Sequence, residues 1–394
     1  MGCTSNNATE PSPGVAPGAA EIDTHAVARA HQMDPRVLEQ VPGFDAPFFQ
    51  AGLAGYSDAA MRIIARRFGC PFCVTEALLD RTLLAGGKGF AKADLGELHD
   101  NVPGGEEDHP LAGQIMGSDP DEMARAADKM VQWNAEHAPN GAAFQAIDVN
   151  LACPVKKIRS KARGGHWLRD PEGAIEILQA VRDAVPETVP VTLKIRRGSD
   201  DSAEAERNFY VIFDAAYELG CAWATVHGRT VEQKYVGPSR WTFLRDLVNA
   251  RPDRIIFGSG DIWNVHEIFR MIEYTGVHAV SVARGCIGNP WIFRQARQML
   301  AGDAPTEPTL AEQRDALEQH FMLSVAVNGE YKASYVMRKF GVRFAQHHPD
   351  FESVRKEFIA VNSIADWQAV LDAHYGAPSD DANACAHERE VAPA

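Results

Sequence analysis

The chain has 394 residues, 45% of them apolar, with a formal net charge of −14, which allows one large α/β domain plus a smaller one and leaves no apolar run near the eighteen residues of a membrane span. An acidic chain argues against nucleic acid as a partner, since phosphate binding needs Lys and Arg, but the acid collects in stretches such as Gly104 to Asp108 and Asp200 to Glu206 while other stretches are basic. Seven cysteines, at 3, 70, 73, 153, 221, 286 and 385, are odd in number and follow no disulfide framework, so no bridges are expected and a reducing cytoplasm is.

Residues 1–40 are rich in Ala, Pro, Gly and small polar side chains and lack the apolar core of a secretion signal, and Asn6 stands where a myristoylation signal wants Ser or Thr. They are expected to form a disordered extension. From residue 41 to about 305 eight short apolar runs alternate with stretches of helical periodicity. They fall near Asp45 to Gln50, Phe72 to Thr75, Leu111 to Met116, Phe144 to Val149, Val189 to Ile195, Ala222 to Val226, Arg254 to Phe257 and His278 to Val282. Eight strands alternating with helices most simply close into a (β/α)8 barrel, whose site lies at the carboxyl ends of the strands.

Those ends read Gly52, Glu76, Gln114, Asn150 with Cys153, Lys194 with Arg196, His227 with Arg229, Gly260 with Asp261, and Arg284. Polar residues begin most loops, but a full ring of them is the pattern of a polar ligand in the mouth. Gly258-Ser259-Gly260-Asp261 and Ala283-Arg284-Gly285 follow the last two strands, where barrels commonly hold a phosphate on backbone amides.

Asn150-Leu151-Ala152-Cys153-Pro154 places a thiol on a turn that proline keeps from continuing as strand or helix, ahead of a basic loop of Lys156, Lys157, Arg159, Lys161 and Arg163. A lone cysteine after a strand is more often a small buried apolar residue than a catalyst, so its weight comes from this setting. Cys70-Pro71-Phe72-Cys73 resembles a redox dithiol, but a helix end before it and a strand after it leave no positive helix terminus to activate a thiolate. No cysteine or histidine grouping supplies a metal site.

After Trp291 the periodicity is helical only, and residues 306–375 are expected to form a compact helical domain, with a disordered tail at 376–394. There Lys332, Arg338, Lys339 and Arg343 interleave with Tyr331, Tyr335, Phe340 and Phe344. An amphipathic helix with solvated charges explains that pattern by itself; beside a basic loop at the mouth it also fits a nucleic-acid surface.

Seven segments, in order, resemble the tRNA-dihydrouridine synthase family: Leu53-Ala54-Gly55-Tyr56-Ser57-Asp58, Gly113 to Ser118, Asn150 to Pro154, Lys194-Ile195-Arg196, His227 to Thr230, Ser259 to Ile262, and Arg284 to Trp291. The likeness covers roughly residues 45–373. It implies a flavin-binding barrel followed by a helical tRNA-binding domain, reducing the C5=C6 bond of uridine with NADPH, in a cytoplasmic protein expected to be a monomer. It implies that Cys153 is the general acid; that Gly52, Leu53, Ala54, Gln114, Lys194, His227, Ser259, Gly260, Asp261, Ala283 and Arg284 hold flavin mononucleotide (FMN); that Asn150, Arg196 and Tyr235 contact the uracil; and that Lys156, Lys157, Arg159, Lys161, Arg338, Lys339 and Arg343 meet the RNA. Two departures stand out. Ala51-Gly52-Leu53-Ala54-Gly55 lacks the proline usual in the family's opening segment, and Gly164-Gly165-His166-Trp167-Leu168 differs from the expected small-residue pattern. The alternative is an FMN-dependent barrel reductase of a small molecule, such as a dihydroorotate dehydrogenase or an enoate reductase. A non-catalytic RNA-binding protein is a further one.

Overall fold

The computed structural model describes residues 14–84, 105–137, 144–154 and 164–376. Its strands are β1 (Phe48–Gln50), β2 (Cys73–Val74), β3 (Leu78–Leu79), β4 (Leu111–Met116), β5 (Ala146–Leu151), β6 (Val191–Arg196), β7 (Ala224–His227), β8 (Ile256–Ser259) and β9 (Ala279–Val282). All pairings are parallel, in the order β2-β1-β9-β8-β7-β6-β5-β4-β3, and β2 also pairs with β4. Eight strands therefore close into a barrel, as expected, while β3 is a short extra strand on the carboxyl half of β4.

Closure follows from the alternation within each strand. Ile147, Val149 and Leu151 of β5, with Leu193 and Ile195 of β6, join the apolar layer under the outer helices. Those helices include α3 (Ala59–Arg67), α5 (Pro120–His137), α6 (Pro171–Ala184), α7 (Ala203–Glu218), α8 (Trp241–Ala250), α9 (Val265–Thr275) and α10 (Trp291–Ala301); a short α4 (Asp80–Leu84) follows β3. In α6 the buried face is Ala174, Ile177, Leu178 and Val181, the i, i+3, i+4, i+7 stripe of a helix lying on a sheet.

The inner positions divide in two. Near the amino ends Phe49, Phe72, Ala112, Ala146, Trp223, Phe257 and Ala279 form a second apolar cluster with Met33, Val37, Val41 and Phe44, and Phe44 stacks on Phe72 at 4.6 Å between ring centres. This corrects the expectation of disorder over residues 14–40: α1 (Thr24–Ala30) and α2 (Pro35–Gln40) are formed, and α2 with the segment after it plugs the bottom of the barrel. Few apolar residues in a Pro- and Gly-rich stretch hid it, because those few are spent on a plug rather than on a helical stripe. Residues 1–13 and 377–394 lie outside the described residues.

Between barrel and helices, Arg62 of α3 is fully buried and donates from Nη2 to Asp108 Oδ2 at 2.5 Å and from Nε to both carboxylate oxygens at 3.0 Å. Both partners are inaccessible, so removing one leaves a buried charge without its counter-charge. Arg62→Ala should cost about 3–5 kcal/mol, read as a lowered midpoint in urea unfolding; an unchanged midpoint would contradict this.

The helical region comprises α11 (Leu310–Asn328), α12 (Glu330–Phe344), α13 (Phe351–Ala360) and α14 (Ile364–His374). Thr309 and Glu312 form a reciprocal cap at the start of α11, and Gly329, at φ 74°, turns the chain into α12. Val327 packs with Ala59, Ala60 and Ile63 of α3, and Lys339 of α12 donates to the Gly55 carbonyl while its ammonium lies 4.6 Å from the Tyr56 ring centre. The helices are thus clamped to the loop after β1, beside the barrel mouth.

Candidate active site

Sequence reading places Asn150, Lys194, Arg196, His227 and Ser259 just beyond or at the strand ends; all five lie within strands, on the inward parity. Gln114 faces Asp148, Asp148 faces Thr192, Asn150 faces Lys194, Arg196 faces His227, and His227 faces Ser259 in the ladder register. The mouth is therefore floored by polar residues from six consecutive strands above the apolar plug, since Ser259 in turn faces Ser281 of β9.

Cys153 hangs on a turn held from three sides. Asn150 Oδ1 accepts from the Ala152 and Cys153 amides at 2.9 and 3.1 Å, Arg196 Nε donates to the Ala152 carbonyl at 2.8 Å, and the Gly165 amide donates to the Cys153 carbonyl at 3.1 Å. Gly164, at φ 55°, lies where a Cβ would stand 2.8 Å from Cys153 Cβ, and a Cβ on Gly165 would stand 3.0 Å from the Cys153 carbonyl oxygen. The glycine pair at 164–165 is thus what lets the returning chain lie on the Cys153 turn. Cys153 itself is partly exposed, whereas Cys70, Cys73, Cys221 and Cys286 are buried.

The expected uracil contacts Asn150 and Arg196 carry much of this scaffold. Asn150 Nδ2 donates to Gln114 Oε1 at 2.7 Å, and Arg196 Nη1 donates to the carbonyls of Thr230 and Lys234 at 2.9 and 2.8 Å. Both acceptor positions of Asn150 Oδ1 are used, so what Asn150 can still offer a ligand is one N–H. Burial pulls the Arg196 guanidinium down to about 10. Tyr235 is half exposed, its ring centre 5.7 Å from Arg196 Cζ and 5.1 Å from Arg284 Cζ; Arg284 lies in turn 4.5 Å from the Trp263 ring, so an aromatic and cationic ladder lines the rim.

Among the expected cofactor residues, Lys194 is the informative one. Its ammonium is buried without a hydrogen-bond partner, and burial, opposed by the Asp148 carboxylate, lowers it to about 7. A buried cation with empty donor positions at the mouth of a barrel fits a ligand that carries negative charge or carbonyl oxygens. His227 points the same way: the Arg229 amide donates to its Nδ1 at 3.1 Å, so the neutral ring carries its proton on Nε2, and burial keeps it well below the ordinary imidazole value. Asp261 turns its carboxylate inward, accepting from Arg229 Nη2 at 2.6 Å and from the Ser239 amide at 2.7 Å, so it offers a ligand only its main chain. That main chain is strained open, with Asp261 at φ 59° and Gly260 at φ 116°. A Cβ on Gly285 would overlap the Ile262 carbonyl, which brings the loops after β8 and β9 together. Ala283 and Arg284 stand at the end of β9, where Arg284 begins a single turn of 3-10 helix. These features suit a phosphate held on backbone amides, with the Lys194 ammonium available to a polar group of the same ligand.

The loop after β1 accounts for the missing proline. A Cβ at Gly52 would overlap the Thr75 carbonyl, so this chain brings β1 and β2 closer than a proline there allows. Leu53 donates its amide to Ser57 Oγ at 2.7 Å, and Ala54 is exposed at the rim. Gln114 is engaged at both ends, donating from Nε2 to Asp148 Oδ2 at 2.7 Å and accepting from Asn150.

Of the residues expected to meet RNA, Lys156, Lys157, Arg159 and Lys161 lie outside the described residues. Arg343 is exposed on α12 against Gly288 and close enough to Arg284 to disfavour its charge. Arg338 bonds the Asn362 side chain and lies 4.5 Å from the Tyr335 ring centre, while Lys339 is tied to Gly55. The three do not form one free cluster. Sequence reading gives no role to Asp148, Thr192 or Trp263, and singles out Gly164 and Gly165 only as a departure from the family pattern. The signal for Asp148 and Thr192 is the alternation Asp148-x-Asn150 and Thr192-x-Lys194-x-Arg196, which lies within the strands rather than past their ends. Among the described residues there is no group of three or more His, Cys, Asp or Glu suited to a metal ion, and no helix is long and apolar enough to cross a membrane.

A family model described as dihydrouridine synthase matches residues 49–376. Curated relatives include tRNA-dihydrouridine synthase B of Xanthomonas axonopodis pv. citri, 33% identical and covering 77% of this chain and 86% of the relative. A probable tRNA-dihydrouridine synthase of Treponema pallidum is 32% identical, covering 82% and 91%. A tRNA-dihydrouridine synthase B of Shewanella oneidensis is 30% identical, covering 82% and 94%.

Proposed function

Because the chain belongs to the dihydrouridine synthase family, we propose that it reduces specific uridines of tRNA to 5,6-dihydrouridine, using FMN and NADPH, with Cys153 as proton donor. The observation that carries this reading is the buried, unpartnered Lys194 ammonium in the same mouth as the Cys153 turn. Lys194 would offer its charge to a bound flavin, and Cys153 would hold the proton for the carbon of the C5=C6 bond that does not receive the hydride. Bound flavin would supply the hydride for one carbon of the C5=C6 bond.

The chain's own residues do the rest. Gly260, Asp261, Gly285 and Arg284 would hold the phosphate of a bound flavin, and Lys194 with His227 Nε2–H would offer donors to its polar atoms. Asn150, Arg196 and the Gly164–Gly165 pair fix where the Cys153 proton is presented. Tyr235 and the remaining Arg196 and Asn150 donors receive the uracil. A stacked or paired uridine cannot enter such a mouth, so the base is extruded from the folded RNA at a cost of a few kcal/mol. The helical region, clamped beside the mouth through Lys339, sets the angle at which the RNA arrives. A reductase of a small molecule has no use for that clamp.

The test is to map dihydrouridine in tRNA from cells with and without this gene, which reads activity and names the position. Unchanged maps, together with a purified protein that takes up no FMN, would overturn the reading. With the purified protein, affinity for tRNA should fall with added salt despite the net charge, the log–log slope growing by about 0.7 to 0.9 per phosphate neutralised. Salt-insensitive binding would remove the basic residues from the interface.

A further inference from the structure

Beneath the Cys153 turn four side chains form one continuous chain of hydrogen bonds. Thr192 Oγ1 donates to Asp148 Oδ1 at 2.7 Å; Gln114 Nε2 donates to Asp148 Oδ2 at 2.7 Å; Asn150 Nδ2 donates to Gln114 Oε1 at 2.7 Å; and Asn150 Oδ1 accepts from the Ala152 and Cys153 amides. Asp148 and Thr192 are 5% and 1% exposed, and the ladder register sets Gln114, Asp148 and Thr192 abreast on adjacent strands.

The direction of this chain is dictated at its base. An amide side chain has a donor end and an acceptor end, and either can point either way unless a neighbour decides. A carboxylate only accepts. Facing Asp148, Gln114 must turn its NH2 inward and therefore its oxygen toward Asn150. Asn150 must then turn its own NH2 toward Gln114 and its oxygen toward the turn. That is the one orientation in which the two backbone N–H groups at Ala152 and Cys153 find an acceptor; the reverse would set an NH2 against two N–H donors. Resting on the reading that Cys153 delivers the proton, we infer that Asp148 is a positioning residue: through Gln114 it fixes the amide orientation of Asn150 and so the placement of the Cys153 thiol.

A rival role for Asp148 is as counter-charge to Lys194, whose neighbour it is. The two separate cleanly by substitution. Asp148→Asn removes the charge but keeps the direction, because Thr192 can accept from the new NH2 and leave the amide oxygen to Gln114. Asp148→Leu removes the acceptor altogether and leaves Gln114 free to invert.

The experiment reads two quantities on the FMN-loaded full chain. One is the rate at which iodoacetamide alkylates Cys153 at pH 8, mapped by peptide mass, which needs neither RNA nor reductant. The other is the rate of dihydrouridine formation at saturating tRNA. Asp148→Leu should speed alkylation of Cys153 and lower kcat, each roughly ten- to a hundredfold, the effect of leaving a buried polar partner unsatisfied, with tRNA affinity unchanged. Asp148→Asn should stay within about threefold of the parent in both, since every bond keeps a partner. An Asp148→Asn protein as impaired as Asp148→Leu would assign the role to charge and overturn the inference. So would Asp148→Leu with unaltered alkylation. If Asp148→Leu does not fold, Asp148→Asn decides alone, because the two roles predict opposite results for it. Should the chain prove not to act on uridine, the alkylation pattern would still stand or fall by itself.

Discussion

Cys153→Ala is expected to slow dihydrouridine formation about 10²- to 10⁴-fold, the usual worth of a general acid, while FMN content and oxidation of NADPH stay as they are. The separation of effects follows from where the thiol sits. Cys153 is carried by a turn whose three restraints all reach its backbone or that of Ala152, so deleting the thiol leaves Asn150 Oδ1, Arg196 Nε and the Gly165 amide bonded as before. Of the residues expected to hold the cofactor, Lys194, His227 and Ser259 lie on β6, β7 and β8, and Gly260, Asp261, Ala283 and Arg284 follow β8 and β9, all on elements other than the Cys153 turn. Time courses of dihydrouridine by nucleoside mass spectrometry decide the matter, and equal rates for parent and variant would take Cys153 out of the reaction.

The barrel was legible because its signal is repeated. Eight apolar runs with helical stretches between them survive an error of one or two residues in any of them, and the run read as Phe144 to Val149 still led to β5 although that strand is Ala146–Leu151. The chemistry suffered more from the same shift. A strand end misplaced by two residues moves Asn150 from a loop into a ladder, where its amide is committed to Gln114 and the turn, so a residue expected to recognise uracil is found holding the scaffold. Residues whose role is to orient another, such as Asp148 and Gly164, carry no motif of their own. Their meaning is a neighbour across the barrel or on a returning loop, and that neighbour is 34 to 44 residues away from Asp148 in sequence. The N-terminal plug was hidden for a related reason: Met33, Val37, Val41 and Phe44 are too few to read as a core, yet they meet Phe49, Phe72 and Phe257 inside the barrel.

Lys194→Met should produce a protein that is more stable without FMN and inactive with it. Burial, only partly offset by the Asp148 carboxylate, lowers Lys194 from 10.5 to about 7, so between those values the unfolded chain holds a proton on this lysine that the folded chain does not. Unfolding then takes up protons, and the stability of the parent apoprotein must rise as pH is raised from about 7 toward 10. Below about 7 the lysine is charged in both states and its desolvation is felt in full, an effect of up to roughly 4–5 kcal/mol as an upper bound. Methionine fills similar space without a charge to desolvate, so the variant should unfold at higher urea at pH 7 and lose the part of the rise with pH that belongs to Lys194. The same substitution takes away the cation proposed to face the flavin, and dihydrouridine formation should fall by at least about 10²-fold, as when one preorganised charge-stabilising donor is removed from a site. Urea unfolding of both apoproteins between pH 6.5 and 10, set beside FMN titrations and turnover, checks each half separately. A variant less stable than the parent at pH 7 would mean that the Lys194 ammonium is satisfied within the apoprotein. Its burial in the mouth would then have to be explained by the fold rather than by a ligand.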